Sequence, residues 1–361
     1  ANLRILGDLA PLGKASEPFF NGEVDWFLAE LMGGGDTSIF TVVNLECPIV
    51  KEFKSVPKVG PSIGIKSLNA NALRGFSLVS LANNHILDHG EQGLSHTMEM
   101  LDEAGVPHVG AGRDIDDASK PHVADIDGIR VGFLAWSHHE FCIASSSSAG
   151  ACPIDLTMGL KLVEELRESC DFVILFYHGG VEHFPYPTPE QRRTCRFLAE
   201  RGVDLIVCQH SHIIGASEVV GDSTILYGQG NYCFDLKGKE SFEHWYQGLM
   251  LDVDLEVGRP LRVDFVPIVQ GANDGMRPRL ADPETSAAIL EKQKYLSETL
   301  SGLDDFEQLW SAYAEQQANH FLYGLLPVGR YVRKALKIFG LMPIIWGKNE
   351  VLRVLNRMEC E

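Results

Sequence analysis

The chain has 361 residues, 45% of them hydrophobic and 22% charged, enough apolar material for one large α/β unit or two domains. Its formal net charge of -18 argues against nucleic acid as a partner, because phosphate binding needs Lys and Arg to displace counterions. The eight cysteines, Cys47, Cys142, Cys152, Cys170, Cys195, Cys208, Cys233 and Cys360, form no CxxC pair. They read as reduced thiols and, with no signal peptide or membrane span in view, favour a cytoplasmic setting. A trimmed precursor would look the same and leaves cell-envelope association open.

In chain order, LRIL (residues 3–6) is a short apolar run ending in Gly7-Asp8. WFLAELMGG (26–34) reads as a helix with a glycine stop. SIFTVVN (38–44) and FSLVSLANNH (76–85) read as strands with polar ends. GEQGLSHTMEMLDEAGV (90–106) has helical spacing, and Gly105 suits its C-terminal cap. HVADIDGIRVGFLAW (122–136) predicts a hairpin around Asp127-Gly128. MGLKLVEELRESC is a helix, DFVILFYHGG (171–180) a buried strand, and PEQRRTCRFLAERG (189–202) a helix opened by Pro189. DLIVCQHSH and SEVVGDSTILYGQGNYCFD follow as shorter runs. GLMLDVDLEV and PLRVDFVPIVQ predict an antiparallel pair. Residues 1–273 thus form an α/β layered domain, and 274–361 a helical extension or subdomain. The tail carries Arg330, Arg333, Lys334 and Lys337 beside apolar residues. A packed helical subdomain is the favoured reading of that tail; contact with an anionic membrane surface is the alternative.

Polar residues gather at the carboxyl ends of the strands. Asp8 follows LRIL, Asn44 and Glu46 follow FTVV, and Asn83, Asn84 and His85 follow LVSLA. His178 follows VILFY, and His210 and His212 follow LIVC. Ligands of open α/β sheets bind outside these ends. Carboxylate, amide and imidazole together are a ligand set for Mn, Fe, Zn or Ni, and a carboxylate can bridge two cations. Such a site can bind a phosphate oxyanion and activate water. Read as extended chain, His210 and His212 share one face while Ser211 points away.

These stretches carry a family resemblance. Gly7-Asp8, Asn44-Leu45-Glu46-Cys47-Pro48, LANNHILDHG (81–90), VGAGR (109–113), HGGVEH (178–183), QHSH (209–212) and YGQGNYCFD (227–235) resemble the capsule-synthesis CapA family. These are also called poly-gamma-glutamate capsule proteins, and the family is similar to calcineurin-like metallophosphatases. The resemblance covers about residues 3–270. It implies a four-layer α-β-β-α sandwich of metallophosphatase type with the helical C-terminal extension. It also implies one or two divalent ions (Mn, Fe or Zn) held by Asp8, Glu46, Asn84, His85, His178, His210 and His212. Two departures stand out. A metallophosphatase histidine is replaced by Ala10, and the bridging aspartate is displaced onto Glu46 or Asn44. The family's closing Gly-His-His-Pro-His is Cys208-Gln209-His210-Ser211-His212, and Gln229 stands where leucine is usual. Both glutamines are expected to line the pocket and alter substrate choice.

The resemblance implies a metal-dependent hydrolase of phosphoesterase type in bacterial capsule or exopolymer (poly-gamma-glutamate-like) synthesis. Its substrate would be an anionic small molecule or polymer, and its partner the capsule-synthesis machinery. His85, Glu182 and His210 are the candidate catalytic residues. Glu182 is either a general acid or base, if buried, or a solvated carboxylate or hydrogen-bond partner of a ligand histidine. Asp88 either supports the site or starts a helix. His138-His139-Glu140 lines the rim, and Arg192 and Arg193 are helix-surface charges. The alternative is a non-catalytic, metal-binding accessory subunit of a polymer synthase or export complex, which the missing histidine at Ala10 supports.

Overall fold

A computed structural model describes residues 1–28, 39–58, 60–67, 69–236, 243–271, 275–302 and 306–325, the last eight of them as backbone only. It divides into two compact units, Ala1–Gly302 and Leu303–Glu361. The first holds two large sheets, besides two short two-stranded ones. The larger runs Arg277–Leu280, Arg262–Gly271, Gln247–Asp254, Asn2–Ala10, Phe40–Leu45, Leu78–Ser80 and His108–Val109, with Asn231–Phe234 also paired to the first strand. The smaller runs Ser217–Val220, Ser223–Leu226, Leu205–Gln209, Phe172–His178, Ile129–Ser137 and His122–Ile126.

Strand alternation explains the layers. In Phe172–His178, Phe172, Ile174 and Phe176 pack into one core with Leu3, Ile5, Val42 and Leu78 of the larger sheet. Phe133 stacks between Phe40, at 5.7 Å, and Phe176, at 6.3 Å, so aromatic rings fill the space between the sheets. Leu6, Leu9, Val43, Leu45 and Val79 instead join a second core with Phe19, Phe27, Leu94 and Leu101 of the flanking helices. Helices Leu156–Ser169 and Pro189–Glu200 pack on strands of the smaller sheet. The result is the expected four-layer sandwich.

Local signals explain most elements. The helix Gly90–Ala104 ends on Gly105 at φ 72°, a left-handed cap. Asp127 and Gly128 have φ of 52° and 85°, as a two-residue hairpin turn of right-handed twist requires. Pro189 opens its helix after Thr188, whose side chain accepts from Gln191 N–H. The strands Gln247–Asp254 and Arg262–Gly271 pair antiparallel as expected. The helix expected over 26–34 appears as Val24–Leu28, and the rest of that span lies outside the described residues.

The first compact unit extends to Gly302, so the helix Pro283–Gly302 belongs to it. The Oγ of Ser297 accepts from Ser217 N–H at 2.9 Å, and Ile289, Leu296 and Leu300 are buried. The second unit contains the helix Phe306–Leu325; the basic tail from Arg330 lies outside the described residues. No helix among the described residues is long and apolar enough to cross a membrane.

One irregularity positions the chemistry. Pairing of Asn2–Ala10 with Phe40–Leu45 shifts register between Ile5 and Asp8. Leu3 and Ile5 face the smaller sheet, whereas Leu9 faces the helices. The shift turns the alternation by one residue and frees Asp8 to face the gap between the sheets. The strand can approach the Gly230 loop only because residue 7 is glycine: a Cβ there would lie 2.2 Å from Gly230 O. Gly7→Ala is therefore expected to destabilise the fold by about 1–3 kcal/mol, the usual range for overpacking. Urea unfolding measures this, and an unchanged midpoint would contradict the assigned contact.

Candidate metal centre

Asp8 and Glu46 are fully buried at the carboxyl ends of adjacent parallel strands. Asp8 is well held: Oδ1 accepts from Asn44 Nδ2 at 2.8 Å, and Oδ2 from His210 N–H at 3.3 Å. Glu46 is different. Neither carboxylate oxygen has a hydrogen-bond donor. Its near polar neighbours are the Asp8 carboxylate and two imidazoles, with Oε1 3.6 Å from His178 Nε2 and 3.5 Å from His212 Nε2. Burial, and then the negative charge of Asp8, push the Glu46 carboxyl well above the usual range.

The histidines converge from the other sheet. His178 continues the inward face of Phe172, Ile174 and Phe176, and its Nε2 lies 3.1 Å from Asn84 Oδ1. His210 and His212 arrive by a route the sequence did not suggest. The strand ends at Gln209, and the two residues have φ of 91° and 56°. The extended-chain reading is thus corrected: a left-handed turn, and not pleat alternation, swings both rings into the site. Non-glycine residues at such angles cost about 1–3 kcal/mol each. Burial and surrounding imidazoles hold His178 and His210 well below the usual histidine range, so both are neutral. Neutral imidazoles present lone pairs to a cation.

Two sets of ligand atoms result, each lying within 4.8 Å of one another. They are Asp8, Glu46 and His212, and Glu46, His178 and His210. Glu46 is common to both. Its unpartnered oxygens and the unpartnered, buried His210 Nδ1 fit one or two cations, which would supply the charge they lack. Asn84 stands beside the second set through His178.

Asn44 is not the bridging group. Its Nδ2 donates to Asp8, and its Oδ1 accepts from Asn83 Nδ2 at 3.3 Å, so the amide holds neighbouring side chains in place. His85 joins neither set. Its Nδ1 lies 2.7 Å from Asp88 Oδ2, and Asp88 is buried, accepting also from Ile63 N–H at 2.7 Å and pairing with Lys58. Asp88 thus orients His85; the helix begins after it, at Gly90. Glu182 is half-exposed at the rim, 3.8 Å from His183 Nε2, without the burial that would suit it to proton transfer. Arg192 is not a free surface charge: it pairs at 3.1 Å with the buried Glu218, its own side chain only 19% exposed.

The glutamines do not line the pocket as expected. Gln209 Nε2 donates to Gln229 Oε1 at 2.9 Å, and Gln229 Nε2 donates to Ile5 O and Leu249 O at 3.0 Å. The pair ties the smaller sheet to the backbone of the larger one. Gln209 continues the inward face of Leu205 and Val207, which aims its side chain between the sheets.

Some site residues escaped the sequence reading. Asn231 Oδ1 lies 2.9 Å from His212 Nδ1, and Trp245 packs on the same ring at 4.6 Å. Asn231 lies inside the YGQGNYCFD stretch that carries the family resemblance, and the fold pairs it with Asp8. Lys58 and Trp245 carry no local signal.

The family model described as "Bacterial capsule synthesis protein PGA_cap" matches residues 6–236. The chain belongs to this family. The matched span includes every residue of the two ligand sets. The chain is similar to the capsule biosynthesis protein CapA of Bacillus anthracis, 28% identical over 203 residues, 53% of this chain and 49% of that protein. It is equally similar to the PGA biosynthesis protein CapA of Bacillus subtilis (strain 168), 28% identical over 205 residues, 55% and 54% of the two chains. The chain spans about half the length of these curated relatives. Among solved structures, a 5'-nucleotidase from Candida albicans SC5314 superposes with a TM-score of 0.45 at 13% identity, covering 81% of this chain and 58% of that one.

Glu46→Gln tests the site's energetics. In chelator-treated protein the substitution removes an acid buried without a donor, and the new amide can donate to Asp8. The variant should be more stable than the parent by on the order of 1–3 kcal/mol. Added Zn or Mn should stabilise the parent and not the variant. Thermal melts with chelator and with metal measure both, and equal responses to metal would refute the assignment.

Proposed function

We propose that this chain is a metal-dependent hydrolase of phosphoesterase type, acting on an anionic substrate in the synthesis of bacterial capsule polymer. The observation that carries the reading is Glu46, buried between two converging ligand sets with neither oxygen hydrogen-bonded. In it, Asp8, Glu46 and His212 hold one divalent ion, and Glu46, His178 and His210 a second, with Asn84 beside the latter. Mn, Fe and Zn suit these donors. Bound ions would supply positive charge for a substrate oxyanion and activate water.

The chain's own residues do the rest. Asn44, Asn83 and Asn231 fix Asp8 and His212 by hydrogen bonds. His85, with Nδ1 oriented by Asp88, has Nε2 left to give or take a proton. His85 is therefore a proton-transfer residue in this reading and not a ligand. Family membership supports a role with the capsule-synthesis machinery.

The second reading, a metal-binding accessory subunit without catalysis, is favoured by Ala10. It is buried in the strand against Phe234 and brings no donor where metallophosphatases have a histidine. Turnover separates the two readings. With Mn added, the parent should hydrolyse aryl phosphate mono- or diesters, and Asp8→Asn and His212→Ala should each lose at least about 100-fold. A protein that binds its ions yet turns over no phosphoester or amide substrate would overturn the hydrolase reading in favour of the accessory one.

A further inference from the structure

A third group of donors lies outside the two sets assigned above. The strand Ile129–Ser137 ends at the rim, and the chain continues as His138-His139-Glu140. His138 is pinned there, its N–H donating to His178 O at 3.0 Å. Its Nε2 lies 2.8 Å from Glu140 Oε1, and its ring packs edge-on to His210 with centroids 5.0 Å apart. One ligand atom each from His138, Glu140 and His210 lies within 4.8 Å of the others.

We propose that His138, Glu140 and His210 form an outer divalent-cation position beside the buried pair. Four-coordinate zinc holds nitrogen and oxygen donors at about 2.0–2.2 Å, which sets neighbouring donors roughly 3.3 Å apart. The group lies within 4.8 Å, so reaching that spacing needs adjustments of no more than about 1.5 Å. The side chains of His138 and Glu140, 30% and 34% exposed, have room for it. His210 is buried and cannot move as freely, but its Nδ1 is already unpartnered. An imidazole has two nitrogens, so His210 can serve an inner and an outer ion at once as imidazolate, its ring N–H proton passing to solvent as the second ion binds.

The donors differ from an ordinary surface ion pair in one respect. A His–Glu pair in water has no need of a third group, whereas here the third is a buried imidazole whose Nδ1 has no hydrogen-bond partner. Three protein ligands leave an open coordination position on the solvent side. That position would take a further oxygen of an anionic substrate held at the buried pair. This role rests on the hydrolase reading; the binding of the outer ion does not.

Equilibrium dialysis against Zn at about 100 µM, with metal counted by mass spectrometry, tests the inference on the full chain. Glu140→Gln and His138→Gln are conservative changes at half-exposed positions. Each should bind about one ion fewer per chain than the parent, with an unchanged thermal midpoint in chelator. The double variant Asp8→Asn, His178→Ala separates the two readings. If it keeps the parent's ion count while Glu140→Gln loses one, the buried centre is wrong and the outer position stands. If Glu140→Gln and His138→Gln both keep the parent's count and its affinity in chelator competition, the outer position is overturned.

Discussion

Glu46 is buried at the meeting of two sheets with no donor to either oxygen, and the rest of the site is arranged around that deficit. An ionised carboxylate out of water loses several kcal/mol of hydration unless a partner replaces it. Arg or Lys would serve in an ordinary core. Here the groups within reach are the imidazoles of His178 and His212, and His178, held neutral by burial, cannot neutralise the charge. Asp8 nearby makes the deficit worse. A divalent cation resolves both at once, which is why the same residues that are costly without an ion are suited to holding one.

The scaffold supports this through three neighbouring devices. The register shift between Ile5 and Asp8 turns one carboxylate inward. The left-handed backbone at His210 and His212 brings two rings off the end of a strand whose pleat would otherwise have sent both to the face opposite Gln209. The hydrogen-bonded pair Gln209 and Gln229 locks the sheets together immediately below. Each restricts motion where ligand geometry is demanding, and the strain at the two histidines is the kind that packing elsewhere must offset.

Much of this was legible in the sequence. Apolar runs followed at once by Asp, Asn or His marked strand ends, and the order of those ends along the chain placed Asp8, Glu46, Asn84, His178, His210 and His212 on one rim. The hairpin at Asp127-Gly128 and the cap at Gly105 were readable because each turns on one residue's backbone freedom. The failures share a cause. Whether Gln209 faces the pocket or the seam, whether His210 lies in strand or turn, and whether Glu182 is buried all depend on backbone direction after a strand ends. Residue type does not encode that direction. Trp245 and Lys58 reach the site from segments with no periodic pattern, so only tertiary structure reveals them.

The central claim is that Glu46 is shared by two ions. Anomalous diffraction from crystals of the full chain soaked in Zn or Mn tests it most directly. The account predicts two inner peaks, one on each side of the Glu46 carboxylate and about 3.5–4 Å apart, as in two-metal sites generally. One would be bounded by Asp8 and His212, the other by His178 and His210. No peak beside Glu46, or metal bound only at surface carboxylates, would contradict it.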